Sequence, residues 1–265
     1  MTDPLRLERS GSVARVTLAR PEVRNAFNAE LIAALTGTFA SLAAEPVDAL
    51  RAVVLAGDGS VFCAGADVAW LRAAADMDID ANEADAGRLA TMLEAMDTCP
   101  VPVVARVQGA ALGGGMGLCA VSDIVVATAD AKFGFTETRL GILPAVIGPY
   151  ALAKIGESHA RALFLPGSRF DASHARAIGL VHEVVPDEAG LDPRVDAVLD
   201  EIRAASPAAV REAKALIRRL RGQPTAQARA LTVAAIARQR TSPEGREGLA
   251  AFLDKREPSW RAGPD

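Results

Sequence analysis

Residues 101–121 read VPVVARVQGAALGGGMGLCAV. Pro102 to Val107 form a strand-like stretch, and Met116 to Val121 a helix-compatible one. Between them stand Gly113, Gly114 and Gly115. Backbone approaches a ligand closely only where side chains are absent. Free N–H groups at a helix start attract negative charge. The triplet therefore reads in two ways: as an anion or oxyanion site, or as a close helix–strand contact. This is the longest apolar stretch in the chain. Pro102, Arg106, Gln108 and the glycines break it, so it does not read as a membrane span.

Downstream, residues 132–141 read KFGFTETRLG, followed by Ile142, Leu143 and Pro144. Glu137 stands among Phe133, Phe135, Leu140 and Ile142. A carboxylate in apolar surroundings has a raised pKa, which suits proton transfer near neutral pH. A surface salt bridge to Arg139 is the alternative. Upstream, RAVVLA (51–56) reads as a buried strand. GDGSVFCAGADVAWL (57–71) follows, with a turn at Asp58-Gly59 and a helix beginning near Asp67. Asp67 there stabilises the helix start. The small residues Ala64-Gly65-Ala66 again open a helix with free amides. Two such openings can each give one N–H to a single oxygen.

The 265 residues suit one large domain, or one domain with a helical appendage. Half are hydrophobic and 23% charged, enough for a sizeable core. A net charge of −4 argues against nucleic acid as a partner, but a few local cations suffice for a polyanionic ligand. Cys63, Cys99 and Cys119 are odd in number and lack metal-ligand spacing, so they read as small buried hydrophobes. His159, His174 and His182 are scattered, and no metal is expected. The start, MTDPLRLERSG, has no apolar core of a signal peptide, so a cytoplasmic location is expected.

Leu5–Arg9 and Val13–Leu18 read as a hairpin. Asn28 caps a helix from Ala29 to about Ala44, with Leu31, Leu35, Phe39 and Leu42 on one face. A second long helix is expected from Asn82 to Met96, after an acidic loop around Met77–Asp85. Strands alternating with helices argue for an α/β chain. Beyond Pro144 the chain turns helical, with short helices at Leu152–Ile155 and Ser158–Leu165. Ser173 is expected to cap a helix to Ile178, and Leu180–Val185 to form a strand. Ser206-Pro207 starts a helix with Val210, Ala213, Ile217 and Leu220 on one face. Ser242-Pro243-Glu244 starts another, running to about Lys255.

Together these segments resemble the crotonase (enoyl-CoA hydratase/isomerase) superfamily. The likeness is carried by RPEVRNAFNAEL (20–31), VFCAGADV (61–68), PVVARVQGAALGGGMGL (102–118), SDIVVATADAKFGFTETRLGILP (122–144), GLVHEVV (179–185) and FLDKREPSW (252–260). It covers essentially the whole chain, with a pattern similar to the methylglutaconyl-CoA hydratase-like subgroup. It implies an α/β fold with a ββα spiral core over residues 1–195. It also implies a C-terminal helical region, 196–265, that packs subunits into trimers or dimers of trimers. The implied substrate is an acyl-CoA thioester, so coenzyme A arrives with the substrate and no separate cofactor is expected.

The resemblance places the oxyanion-hole amides at Ala66 and Gly114. It places CoA contacts at Arg24, Ala26, Ala64 and Lys255, and pocket walls at Val68, Leu71, Gly117, Val146, Ile147 and Tyr150. The family's hydratases use two carboxylates. The second matches Glu137, but the first falls at Gly117 and is absent. Hydration must place water at the β-carbon and a proton at the α-carbon, whereas double-bond migration needs one base. The mechanism by itself favours an isomerase. The flanking sequence TETRLGILPAVIGPY favours a hydratase of branched or carboxylated enoyl-CoA, with Tyr150 or the substrate helping to place water. The leading expectation is a hydratase-like lyase with Glu137 as acid and base. A β,γ to α,β isomerase is the alternative, and a non-catalytic CoA-binding subunit the third.

Overall fold

The computed structural model describes residues 3–261. Among them, nine strands lie at Leu5–Ser10 (β1), Val13–Leu18 (β2), Ala52–Gly57 (β3), Val103–Val107 (β4), Ala110–Leu112 (β5), Ile124–Thr128 (β6), Lys132–Gly134 (β7), Phe170–Asp171 (β8) and Glu183–Val185 (β9). One sheet runs in the order β1-β2-β3-β4-β6-β9, and β5-β7-β8 form a second. β1 and β2 pair antiparallel as the expected hairpin; from β2 onward the larger sheet is parallel. β2, β3, β4 and β6 are buried almost throughout, as strands of a parallel sheet covered on both faces are.

Alternate residues along each strand serve two cores. Val16, Val53, Leu55, Ala105 and Val125 face the larger one. There they meet α1 (Ala29–Ala43), α3 (Ile79–Asp97) and α4 (Gly114–Val121), with α2 (Val68–Ala75) before α3. Asn28 caps α1 through Leu31 N–H, and Leu31, Leu35, Phe39 and Leu42 are buried as expected. Val13, Val54, Val104 and Val126 face the smaller core, which α7 (Leu191–Ala204) covers with Leu191, Val195, Val198 and Leu199. Two arginines pin the ends of α7. Buried Arg106 holds both Asp192 oxygens at 3.0 and 3.1 Å. Arg51 donates to Arg203 O and Ala205 O. α7 spans residues 191–204 and so runs across the 195/196 division drawn from the sequence; it covers the sheet, and Ala205 and Ser206 separate it from α8 (Pro207–Leu220).

Several local expectations change. The segment 77–85 is mostly the first turns of α3, because Asp78 caps Ala81 N–H at 2.8 Å. The two short helices expected after Pro144 do form, as the two halves of α5 (Gly148–Phe164), divided at Gly156 with a non-helical φ of 75° and ψ of 162°; the first starts earlier than expected, at Gly148. Asp171, not Ser173, caps α6 (Ala172–Ala177), accepting His174 N–H at 2.8 Å. Only Glu183–Val185 of the expected strand pairs with β6. The apolar face read into α8 is not buried in this chain, where Ala213 and Ile217 are exposed. Polar residues face inward instead. Arg211 reaches Leu50 O, and Lys214 reaches Val101 O and Asp123. α9 (Thr225–Thr241) buries no residue, and α10 (Pro243–Leu253) starts at the expected Ser242 cap. No helix among the described residues is long and apolar enough to cross a membrane.

One buried side chain organises the strand ends that carry the site. Asn25 is fully buried and left-handed, with φ 56°. Its Oδ1 accepts Arg20 N–H at 2.9 Å, and its Nδ2 donates to Asp58 O and Val61 O at 2.8 Å each. Asn25→Ala is expected to destabilise the protein by about 3 kcal/mol, because three partly buried backbone groups lose their partner. Denaturant unfolding checks this, and a loss below about 1 kcal/mol would contradict it.

Candidate functional site

Three loops converge where the two sheets meet. The first turns sharply through left-handed Arg24 and Asn25 to Phe27. Phe27 N–H donates to Gly65 O at 2.7 Å, and Asp67 N–H donates to Phe27 O at 2.8 Å. These bonds bracket Ala66, whose own N–H has no acceptor among the described residues. The second loop lies along β5, where Cys63 N–H reaches Ala110 O and Leu112 N–H reaches Cys63 O. Gly65 has φ 97°, and a Cβ there would stand 2.9 Å from Leu112 O.

The third is the glycine turn. Gly113 has φ 49° and donates its N–H to Gly134 O at 2.9 Å. Gly114 is the first residue of α4, so its N–H has no carbonyl a turn behind it. A Cβ on Gly114 would lie 2.6 Å from the Phe27 ring, and one on Gly115 would lie 2.5 Å from Cys63 O. The close helix–strand contact read from the triplet is therefore present. The glycines permit close packing, and that packing leaves two amides, Ala66 and Gly114, unpaired at one place.

Glu137 opens a short 3-10 turn, Glu137–Leu140, after β7. Its Oε1 lies 3.4 Å from where a Gly113 Cβ would stand. Its Oε2 is buried and has no hydrogen-bond partner among the described residues. Arg139 does not pair with it; that guanidinium turns to Pro166 O and the Ser168 hydroxyl, at 3.0 and 3.2 Å. Burial pushes the Glu137 carboxyl above the usual range, opposed only by its own backbone N–H. A half-buried carboxyl without a counter-ion thus sits beside two free amides.

The remaining expected site residues divide. Ala64 N–H donates to Arg24 O at 3.0 Å, so Arg24, Ala26 and Ala64 form one neighbourhood beside Ala66. Ala26 is buried and the Arg24 side chain exposed. Val68 is exposed on α2, while Leu71 and Val146 are half-buried. Gly117 is buried; a Cβ on it would stand 2.6 Å from Ile147 Cγ2 and 3.5 Å from Leu93 Cδ2. Ile147 therefore fills the place where the resemblance puts a first carboxylate. Tyr150 is half-buried. Its phenol titrates above the ordinary value, first through burial and then through Asp97 and Glu94, with Arg218 and Arg221 opposing. Lys255 is exposed beyond α10, in a segment anchored by Trp260 Nε1 to Ala204 O at 3.2 Å. The thiols of Cys63 and Cys119 are buried and pushed up to about 12, which leaves them neutral and unreactive. Two residues the sequence reading did not single out, Arg20 and Phe27, hold the loops together. Their only signal was the segment RPEVRNAFNAEL itself.

Residues 8–263 match the family described as Enoyl-CoA hydratase/isomerase. An enoyl-CoA hydratase structure from Shewanella pealeana superposes with a TM-score of 0.92 at 35% identity, covering 97% of this chain and 96% of that one. Pseudomonas aeruginosa AtuE gives 0.93 at 36% identity, covering 97% and 99%. An enoyl-CoA hydratase/isomerase from Marinobacter aquaeolei gives 0.90 at 35% identity, also covering 97% and 99%. With a match over nearly its full length, the chain belongs to the enoyl-CoA hydratase/isomerase (crotonase) family.

Proposed function

We propose that this enzyme adds water to, or removes it from, an α,β-unsaturated acyl-CoA, with Glu137 as the acid–base group. One observation carries the reading: an unpaired, half-buried carboxyl against the glycine turn whose amide, with that of Ala66, is free. The thioester oxygen is held by Ala66 N–H and Gly114 N–H. As water attacks the β-carbon, the π electrons move onto that oxygen as an enolate. Two preorganised donors lower the energy of that charge. Ionised Glu137 takes the proton from the water, then returns it to the α-carbon as the enolate collapses. One water is added and Glu137 is regenerated. A single carboxylate serving both carbons adds both atoms to one face.

The apolar filling at Gly117 favours a second reading, β,γ to α,β isomerisation. There Glu137 takes a proton from one carbon and returns it two carbons away. Branched or carboxylated substrates remain the proposed class for hydration. We also propose a trimer or a dimer of trimers. Exposed Ile217, Val233, Ile236 and Leu249 and a groove of about 430 Å³ between α8 and α9 support it. In such an assembly Lys255 of one subunit reaches a neighbour's nucleotide.

Incubation with 3-methylglutaconyl-CoA, crotonyl-CoA and a β,γ-enoyl-CoA, followed by mass, tests the reaction. A gain of one water on an α,β-substrate is expected. A mass-neutral double-bond shift on the β,γ-substrate alone would establish the isomerase instead, and no change on any of them would overturn both. Glu137→Gln is expected to lower kcat by roughly 10²–10⁴ while acyl-CoA still binds. Wild-type turnover by that variant would refute the assignment.

The acid limb of the kcat/KM profile is expected above the usual glutamate value of about 4.3, because Glu137 works ionised and its pKa is raised. The same shift predicts a stability effect. The folded protein holds the Glu137 proton more tightly than the unfolded chain, so stability falls as pH rises through the folded value. Glu137→Gln removes that loss. Its thermal midpoint should exceed that of the wild type near about pH 8, and the difference should vanish below about pH 4.

A further inference from the structure

The backbone between Ala26 and Asp67 is joined a second time, by a side chain. Arg20 stands just before the turn that leads to Phe27. Its guanidinium donates to Ala26 O and, at 2.9 Å, to Asp67 Oδ2. Both side chains are largely buried, 15% and 12% exposed. Asp67 uses its other oxygen to accept Ala69 N–H at 2.8 Å and so caps α2. Burial pushes the Asp67 carboxyl up, but the amides of Ala69 and Trp70 and the Arg20 guanidinium outweigh it, so it stays ionised. Ala26 and Asp67 each follow or precede one partner of the Phe27–Ala66 bridge. The ion pair therefore spans the bridge that orients the free Ala66 amide. The backbone of Arg20 is itself fixed, because its N–H is held by buried Asn25.

We propose that Arg20 is a positioning residue for the thioester oxygen. Through Ala26 and Asp67 it holds the Ala66 N–H at the separation from Gly114 N–H that one oxygen needs. It touches neither substrate nor Glu137. This rests on the oxyanion role proposed for Ala66 and Gly114, and it goes beyond that role by naming what fixes their spacing. A one-sided shift of the Ala66 loop weakens polarisation of the carbonyl without emptying the CoA contacts. Displacements of about 1 Å in such sites cost on the order of 10² in rate.

The test compares the wild type with Arg20→Met, Arg20→Lys, Asp67→Asn and the Arg20→Met/Asp67→Asn double variant. Asn retains the cap on α2 but turns an N–H towards Arg20. Three quantities are read: kcat, the Kd for a saturated acyl-CoA, and the absorption red-shift of a bound conjugated dienoyl-CoA at saturation. The red-shift reports carbonyl polarisation and needs no turnover. Arg20→Met and Asp67→Asn are each expected to lower kcat about 10- to 100-fold and to shrink the red-shift, with Kd changed less than about threefold. The double variant should be no worse than the poorer single one, since the pair acts as a unit. Arg20→Lys should recover part of the shift. If Arg20→Met does not fold, Asp67→Asn decides. A wild-type red-shift and kcat in Asp67→Asn, or a loss confined to Kd, would overturn the proposal. A wild-type protein that turns over no enoyl-CoA would instead overturn the functional reading, and the red-shift series would still report on Arg20.

Discussion

Phe27 makes the contact on which the site depends. Its backbone brackets Ala66 through two hydrogen bonds, and its ring rests on the Cα of Gly114. The two free amides thus belong to loops some fifty residues apart in sequence, yet both are referenced to one fully buried side chain. The contact exists only because position 114 has no Cβ. The same logic repeats at Gly65 against Leu112 and at Gly115 against Cys63. Such packing resists deformation, because each neighbour is backbone or a ring rather than a flexible side-chain end.

Charge is distributed to the same purpose. The other partly buried acids around the core are paired: Asp67 with Arg20, Asp123 with Lys214, Asp97 with Arg218, and Asp192 with Arg106. Among the described residues Glu137 has no such partner, and one of its oxygens is orphaned. Buried polar groups without partners cost stability, and this one supports the acid–base role proposed for Glu137. Opposite the usual trend for an acid site, the α4 turn beyond it is apolar, with Ile147 closing on Gly117. In the proposed reaction, proton handling then falls to a single group.

Elements whose partners lie within one helix turn were legible in the sequence. The Asn28 cap, the α1 face, the hairpin and the Ser206 and Ser242 caps all form where the pattern put them. Elements defined by distant partners were not. α7 was missed although Leu191, Val195, Val198 and Leu199 share a face, because nothing local shows that a sheet awaits it. α9 carries no buried stripe at all. On α8 it is Arg211 and Lys214 that turn inward, to Leu50 O, Val101 O and Asp123, and nothing in the helix itself shows those distant partners. Asp171 outcompeted Ser173 as a cap because it stands just before the first helical residue of α6.

By itself, the sequence determined the family, the alternation of strands and helices, the two glycine-bearing openings and the presence of one carboxyl rather than two. Those are properties of residue type and order. Only the tertiary structure decided that Glu137 faces Gly113 while Arg139 turns to Pro166, and that Ile147 occupies the room beside Gly117. It alone joined Arg20 to Asp67 across 47 positions. The physical reason is that direction and pairing of side chains follow from which distant backbones meet, and no local pattern encodes that.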